Sequence, residues 1–183
     1  MNRQPSLLEY RKATLADAET IKAIIALSVN GLGSGHYNET QRRAALASAF
    51  GLDTELINDQ TYFVVESRSE IVGCGGWSRR KTLFGGDDQP GRQSELLDPG
   101  FDCARIRAFF VRPDWARRGI GRRLLAICEA EARAQGFRSV ALMATLPGHA
   151  LYLACGYIGN ERVEFKLPGD VGIHFIPMTK SLV

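Results

Sequence analysis

The strongest structural signal in this sequence is a turn rich in arginine and glycine that joins an apolar strand to an amphipathic helix. The strand is predicted over residues 105–111 and the helix over residues 119–135. Gly119 and Gly121 open the helix, and because they carry no Cβ atom a ligand can approach their backbone closely. The first N–H groups of a helix are unpaired and lie at the positive end of its dipole. The turn is therefore predicted to bind phosphate.

Arginines add positive charge around this turn. Arg117 and Arg118 lie within it and are predicted to flank a pyrophosphate, whereas Arg122, on the first helical turn, either contacts phosphate or is only solvated. The turn does not match two other phosphate-binding motifs. A dinucleotide fingerprint needs a third glycine after Gly121, and a P-loop needs a Gly-Lys-Ser/Thr sequence, which the chain lacks.

The composition is that of one ordinary globular domain. Of the 183 residues 45% are apolar and 23% are charged, and the net charge of +3 is too small to indicate a nucleic-acid partner. No apolar run approaches the roughly 20 residues that span a bilayer. Residues 1–9 lack the apolar core of a signal peptide, and the four cysteines form no CxxC pair. Reduced thiols, no metal site and a cytoplasmic location are expected.

Hydrophobic periodicity predicts seven strands and four helices in the order β-α-α-β-β-β-α-β-α-β-β, which implies a mixed sheet covered by helices. The strands are predicted over residues 8–12, 61–66, 70–77, 105–111, 139–145, 157–167 and 172–178, and the helices over residues 15–31, 39–50, 119–135 and 147–154. A loop over residues 83–101 is long enough to be functional or mobile.

Two motifs stand in register in the second half of the chain. The first reads Ala116-Arg117-Arg118-Gly119-Ile120-Gly121 and is preceded by Val111, Pro113, Asp114 and Trp115. The second reads Ala-Leu-Tyr-Leu-Ala-Cys-Gly-Tyr over residues 150–157. Together they resemble the signatures of the GNAT N-acetyltransferase superfamily. Ala116 stands where the family usually has Arg or Gln, and Thr145 stands where it often has Asn.

The resemblance implies an α/β (α+β) fold with a mixed, mostly antiparallel sheet of about seven strands, flanked by about four helices. It implies one domain over residues 1–183 that binds acetyl-CoA as co-substrate and transfers the acetyl group to a primary amine by direct attack in a ternary complex. In the family, the backbone of the strand before the turn binds the pantetheine. The cofactor-binding residues it implies are Phe109, Phe110, Val111, Arg117, Arg118, Gly119, Ile120, Gly121, Arg122 and Thr145.

The resemblance also implies that Tyr152 is the catalytic acid. The family places this hydroxyl near the thioester sulfur, and a phenol with an ordinary pKa near ~10 can give its proton to the leaving thiolate. A core aromatic is the alternative. The general base stays open, because a carboxylate or an ordered water chain can accept the proton of the amine. Glu66, Asp102 and Glu39 are the candidates.

The acceptor site is the least defined part of the prediction. His36 and Tyr37 lie in the loop between the first two helices, which lines the acceptor site in the family, and a solvated loop is the alternative. Arg105 and Arg107 fall on one face of a central strand, where a buried arginine needs a partner. Either they pair with acidic residues of the loop over residues 83–103, or one of them, with Arg107 as the candidate, points into the substrate cleft.

Three classes of function fit these observations. An N-acetyltransferase is the first, and its acceptor is a small-molecule or protein amine. A non-catalytic acyl-CoA sensor or interaction module on the same fold is the second, since fold does not fix function. Nucleic-acid binding through the arginine turn is the third and weakest. We expect no nucleic-acid or membrane partner, and a homodimer is left open.

Overall fold

The structure is a computed structural model that describes residues 8–183, so that residues 1–7 of the predicted polar N-terminal segment lie outside it. Within this range seven strands and five helices form in the order β1, α1, α2, α3, β2, β3, β4, α4, β5, α5, β6, β7. The strands are β1 (Glu9–Lys12), β2 (Tyr62–Ser67), β3 (Glu70–Ser78), β4 (Ala104–Val111), β5 (Ser139–Thr145), β6 (Val163–Leu167) and β7 (Val171–Ser181). The helices are α1 (Ala18–Leu32), α2 (Glu39–Leu46), α3 (Thr54–Asn58), α4 (Ile120–Ala134) and α5 (His149–Ala154).

The seven strands of the described range form one sheet in the order β1-β2-β3-β4-β5-β7-β6. Every neighbouring pair is antiparallel except β4 and β5, which are parallel. The predicted mixed, mostly antiparallel sheet is therefore confirmed. β4 and β5 pair only through Ala104 with Val140 and Arg105 with Ala141, although both strands continue beyond these residues. The sheet opens between them.

Each face of the sheet carries its own apolar core. On one face, the buried side of α4, including Leu124, packs with Ile106 of β4. On the other face, α1 and α2 pack on the sheet, so that Ile25 shares a core with Cys74 of β3 and Phe175 of β7. The amphipathic pattern of α4 follows from this arrangement, because one side of the helix meets the sheet and the other meets solvent.

The structure corrects the prediction for the second helix. It ends at Leu46 rather than at residue 50, and a separate helix, α3, follows it. With five residues, α3 is too short to show a periodic pattern. Asp53 caps it by accepting a hydrogen bond from the backbone N–H of Glu55 at 3.1 Å.

The strand predicted over residues 157–167 begins only at Val163. Before it, Ile158 makes an isolated bridge with Thr179 of β7 instead of joining a ladder. Gly159 then passes so close to β7 that an added Cβ atom would lie 2.1 Å from the carbonyl oxygen of Pro177, and its φ is 144°. This close approach and positive φ are incompatible with a regular strand, so residues 157–162 stay outside the sheet.

Candidate functional site

β4 and β5 frame a cleft that widens towards their C-terminal ends. Beyond Arg105 and Ala141, β4 pairs only with β3 and β5 only with β7, so the facing backbone edges have no partner strand among residues 8–183. The backbone N–H of Val111 reaches instead towards α1, where the Ser28 hydroxyl accepts a long hydrogen bond from it at 3.4 Å. Unpaired strand edges are ready to hydrogen-bond an extended ligand, as a further strand would.

A β-bulge at Ala108 shapes one wall of this cleft. The register between β3 and β4 shifts here, and the φ of Ala108 is 55°, which is rare for a residue other than glycine. The hydroxyl of the buried Tyr62 donates a hydrogen bond to the Ala108 carbonyl oxygen at 2.9 Å and so stabilises the bulge. Burial raises the pKa of Tyr62, which keeps this donor protonated. The bulge re-aims the backbone of the residues that follow it, beginning with Phe109.

The turn before α4 exposes backbone N–H groups, as the sequence predicts. Arg117 and Gly119 adopt positive φ values of 63° and 83°. The first hydrogen bond within the helix runs from Arg123 N–H to Gly119 O at 3.0 Å, so the N–H groups of residues 120–122 precede the intrahelical ladder. An added Cβ atom at Gly119 would meet nothing within 4 Å, which leaves open space in front of these donors.

Gly121 has a different role from Gly119. An added Cβ atom at Gly121 would lie 2.8 Å from Cδ2 of Leu151 on α5. The absence of a side chain here therefore lets Leu151 of α5 pack closely against α4. Of the two glycines in the turn, the first provides access to the backbone and the second provides close helix packing.

The arginines of the turn are exposed and carry uncompensated charge. Among residues 8–183, no carboxylate forms an ion pair with Arg117, Arg118 or Arg122, whereas Arg112 pairs with Asp114 at 2.8 Å. The guanidinium of Arg118 stacks over the Trp115 ring at 4.4 Å. It also donates a hydrogen bond to the Asp114 carbonyl oxygen at 2.9 Å. Stacking pre-orients this cation beside the exposed N–H groups.

Tyr152 lies on α5, which follows β5 directly after a short 3₁₀ turn. Its side chain is 9% exposed, and its hydroxyl has no hydrogen-bond partner in the described part of the chain. The other three buried tyrosines, Tyr37, Tyr62 and Tyr157, all donate to protein acceptors. Burial raises the pKa of Tyr152, so its proton is retained at neutral pH. The hydroxyl is thus a protonated hydrogen-bond donor without a protein acceptor.

Thr145 occupies the last position of β5, where the strand turns towards α5. The next N–H group, that of Leu146, donates to the Tyr37 hydroxyl at 2.9 Å, and this hydroxyl donates in turn to the His174 carbonyl oxygen at 2.9 Å. Tyr37 is 3% exposed, and burial raises its pKa to about 12. It therefore ties the α1–α2 loop to β5 and β7, while the neighbouring His36 is exposed in that loop.

Arg107 is buried and already partnered. Its side chain is 3% exposed and pairs with Asp53 at 2.7 Å. It also donates to the carbonyl oxygens of Thr82 at 2.8 Å and Gly85 at 2.6 Å. This fits the alternative in which the strand arginines pair with acidic residues, but the carboxylate comes from the residue before α3 and not from the long loop. Sequence reasoning missed Asp53, whose signal was its helix-capping position before Thr54 and Glu55.

None of the three candidate general bases lies on β4 or β5. Glu66 is on β2 and accepts a hydrogen bond from Arg11 Nε at 3.0 Å. Asp102 closes a turn by accepting from the backbone N–H of Asp98 at 2.8 Å. Glu39 is exposed at the start of α2. Glu66 and Asp102 are thus bonded to Arg11 and Asp98, and Glu39 pairs with Arg43 of the same helix at 2.7 Å.

Comparisons with known proteins agree with this geometry. Residues 33–157 match the model of the acetyltransferase (GNAT) family, which is more than half of the chain. The chain therefore belongs to this family, and the predicted family, fold and enzyme class, that of the N-acetyltransferases, are confirmed.

Individual relatives are more distant. An aminoglycoside N(6')-acetyltransferase type 1 from Stenotrophomonas maltophilia is 36% identical over 67 residues, which are 34% of this chain and 44% of the relative's length. A GCN5-related N-acetyltransferase structure from Rhodopseudomonas palustris superimposes with a TM-score of 0.70 at 20% identity, covering 99% of this chain and 98% of that one. The PaiA N-acetyltransferase of Thermoplasma acidophilum, solved in complex with coenzyme A, gives a TM-score of 0.65 at 15% identity, with 96% and 99% coverage.

The described part of the chain shows neither a metal site nor a membrane-spanning helix. Among residues 8–183, no group of three or more His, Cys, Asp and Glu side chains is placed to hold a metal ion. None of the helices in this range combines the length and apolar character of a membrane span.

Proposed function

We propose that this protein transfers the acetyl group of acetyl-CoA to a primary amine, which attacks the thioester directly in a ternary complex. The observation that carries the proposal is the opening between β4 and β5. Its wide end lies where β4 runs into the turn before α4, and so one continuous path joins a phosphate-binding turn to unpaired strand edges. An extended acyl-pantetheine arm with amide groups fits such edges, because it can hydrogen-bond them as a strand does.

In this proposal the phosphates of coenzyme A are bound at the start of α4. The N–H groups of residues 120–122 lie at the positive end of the helix dipole, and Arg117 and Arg118 supply charge. The backbone of residues 109–111 binds the pantetheine arm. The bulge at Ala108 aims a backbone donor at the thioester carbonyl, where it stabilises the oxyanion of the tetrahedral intermediate.

Tyr152 is proposed to protonate the departing thiolate. Its ring belongs to the core on the α4 face of the sheet, so its hydroxyl approaches the cleft from that side. The amine then attacks from the opposite face, which keeps nucleophile and leaving group on separate sides of the carbonyl. Positioning of the two substrates supplies most of the rate. As the C–S bond breaks, the phenol gives its proton to the thiolate, and the proton released by the attacking amine restores the phenol.

The test is release of the CoA thiol in the presence of a panel of amines. The panel includes a polyamine, an amino acid, a lysine peptide and an aminoglycoside, the last chosen because the relative from Stenotrophomonas maltophilia is named for it. With the best amine, Tyr152→Phe should lower kcat and kcat/KM together by roughly 100-fold, because only a transition-state interaction is lost. Affinity for acetyl-CoA should stay the same.

Tyr157→Phe is the matched control, since it removes a buried hydroxyl from the neighbouring ring, 5.7 Å away between centroids. That hydroxyl is already bonded to Glu129, so turnover should be retained. Full activity in Tyr152→Phe would assign the proton to another group. If the parent binds CoA but releases no thiol with any amine, the protein is a sensor and the proposed function is wrong.

A further inference from the structure

Arg105 is an arginine of the central sheet that lacks a partner. Its Nε atom is buried and makes no hydrogen bond. Across residues 8–183, no carboxylate pairs with its guanidinium and no carbonyl accepts from it. A buried polar atom without a partner is uncommon, and the rest of this guanidinium is not sealed in the core, because Arg105 is only half-buried. This donor set calls for an acceptor that the folded chain itself does not provide.

The contrast with Arg107 shows that the lack of a hydrogen-bond acceptor is specific to Arg105. Both side chains project from the same face of β4, because residues two apart in a strand lie on one face. Arg107 is paired with Asp53 and donates to the carbonyl oxygens of Thr82 and Gly85. Arg105 stands two residues earlier on the same strand and receives none of these acceptors.

Arg105 is also placed at the closed end of the cleft. It is the last residue of β4 that pairs with β5, so the strands separate directly after it. Its neighbours Ala104 and Ile106 are buried in the core beneath α4, which puts the Arg105 side chain on the opposite face. That is the face from which an amine must approach, if the cofactor and Tyr152 occupy the α4 side.

A segment of the long loop forms a wall on this face. Thr82 and Gly85 are held to β4 by Arg107, whereas Phe84 between them packs against Phe165 of β6 at 4.8 Å and Phe175 of β7 at 5.3 Å. The segment therefore crosses the face above β5. Its contacts are apolar or already paired, so a charged part of an acceptor finds its complement at Arg105 rather than in the loop.

We propose that Arg105 binds a carboxylate of the acceptor, so that the substrates of this enzyme are amines that also carry a carboxylate, such as amino acids. A guanidinium presents two parallel N–H donors that match the two oxygens of a carboxylate. Bound there, the carboxylate orients the amine towards the cleft. The inference rests on the proposed acetyl transfer and adds the class of acceptor to it.

The experiment compares each amino acid with its own primary amide. Glycine, β-alanine and lysine are assayed against glycinamide, β-alaninamide and lysinamide, which keep the amine and lose the negative charge. We expect kcat/KM to favour at least one acid by about 10-fold or more, mainly through KM, because a donor built for a charged partner rejects an analogue without it. The amide group lowers the basicity of the amine and would by itself favour the amide, so this preference cannot arise from amine ionisation.

Variants assign the preference to the residue. Arg105→Gln should abolish the discrimination between acid and amide. Arg105→Lys should restore part of it, because lysine returns the positive charge but not the two parallel N–H donors. Arg68→Gln, at an exposed position in the β2–β3 turn, removes the same charge from the molecule and should leave the ratio unchanged. Unchanged CoA affinity and thermal unfolding show that each variant is folded.

The same pairs are titrated into the CoA-bound protein, which measures recognition without turnover. Tighter binding of the acid that disappears in Arg105→Gln supports the inference. Turnover of amides and acids at equal rates would leave acetyl transfer standing and overturn the role of Arg105. Equal binding of acids and amides, or a preference that survives in Arg105→Gln, would show that this guanidinium is merely solvated.

Discussion

Replacement of Asp53 tests the ionic network that holds the long loop against β4. The Asp53 side chain is 1% exposed and pairs with Arg107 at 2.7 Å and with Arg92 at 2.6 Å. It also caps α3 through the backbone N–H of Glu55. Without this carboxylate, Arg107 would stay buried with no counter-ion, and burial already lowers the pKa of that guanidinium. The loss should therefore be large for a single substitution.

The magnitude follows from the environment of each partner. Breaking a buried ion pair by removing one member costs about 3 to 5 kcal/mol. Because Arg92 is 15% exposed and keeps Asp87 and Glu55 as partners, we expect about 3 kcal/mol for Asp53→Asn, which retains an oxygen that can cap α3. Asp53→Ala also removes the cap and should lose about 1 kcal/mol more.

Urea unfolding followed by circular dichroism gives the free energies of unfolding of the parent and both variants. Asp87→Asn is the control, since Asp87 also pairs with Arg92 at 2.9 Å but is 40% exposed, and it should lose less than about 1 kcal/mol. The double variant Asp53→Asn/Arg107→Met should be less destabilised than the sum of its singles. A loss below about 1 kcal/mol in Asp53→Asn, or strict additivity, would refute the reasoning.

Three further predictions concern the turn and the first helix. Gly119→Val should weaken CoA binding by about 100-fold in an equilibrium titration, because the new side chain blocks charge-assisted contacts. Gly91→Val is the control, since Gly91 has a φ of 73° and equally open surroundings, and it should leave CoA binding unchanged. Equal losses of affinity in the two variants would contradict this prediction. Arg117→Ala/Arg118→Ala should lower CoA affinity by about 10-fold or more, and a parental titration curve would show that both side chains are only solvated. Arg11 lowers the pKa of Asp17 to about 2, so as pH falls this carboxylate is protonated in the unfolded chain before it is protonated in the folded protein. The stability that the ion pair contributes is therefore present above about pH 4 and is lost between about pH 4 and 2. Urea midpoints measured across that window should show this loss in the parent and not in Asp17→Asn.

The geometry of the turn that we propose binds the cofactor could be predicted from the sequence because its signals are local. The positive φ of Gly119, the start of α4 and the exposed arginines are properties of a few consecutive residues. The bulge at Ala108 is different. An alanine with positive φ carries no signature, and the contact that stabilises it comes from Tyr62, which lies 46 positions earlier. Within β4, the local sequence pattern therefore predicts the strand, whereas the position of the bulge depends on a tertiary contact.

The different surroundings of Arg105 and Arg107 could not be predicted, because they depend on contacts between distant parts of the chain. Arg105 and Arg107 are the same residue type on the same face of one strand, and nothing local distinguishes them. Asp53 pairs with the guanidinium of Arg107 and leaves that of Arg105 without a partner. It lies 54 positions before Arg107, ahead of a helix too short for a periodic signal. The loop adds two further acceptors for Arg107, the carbonyl oxygens of Thr82 and Gly85. Which arginine is left without a partner is therefore decided by how the segments before α3 and before β4 pack. With Arg105 as the proposed carboxylate site, changes in those segments should alter substrate choice without any change in the strand itself.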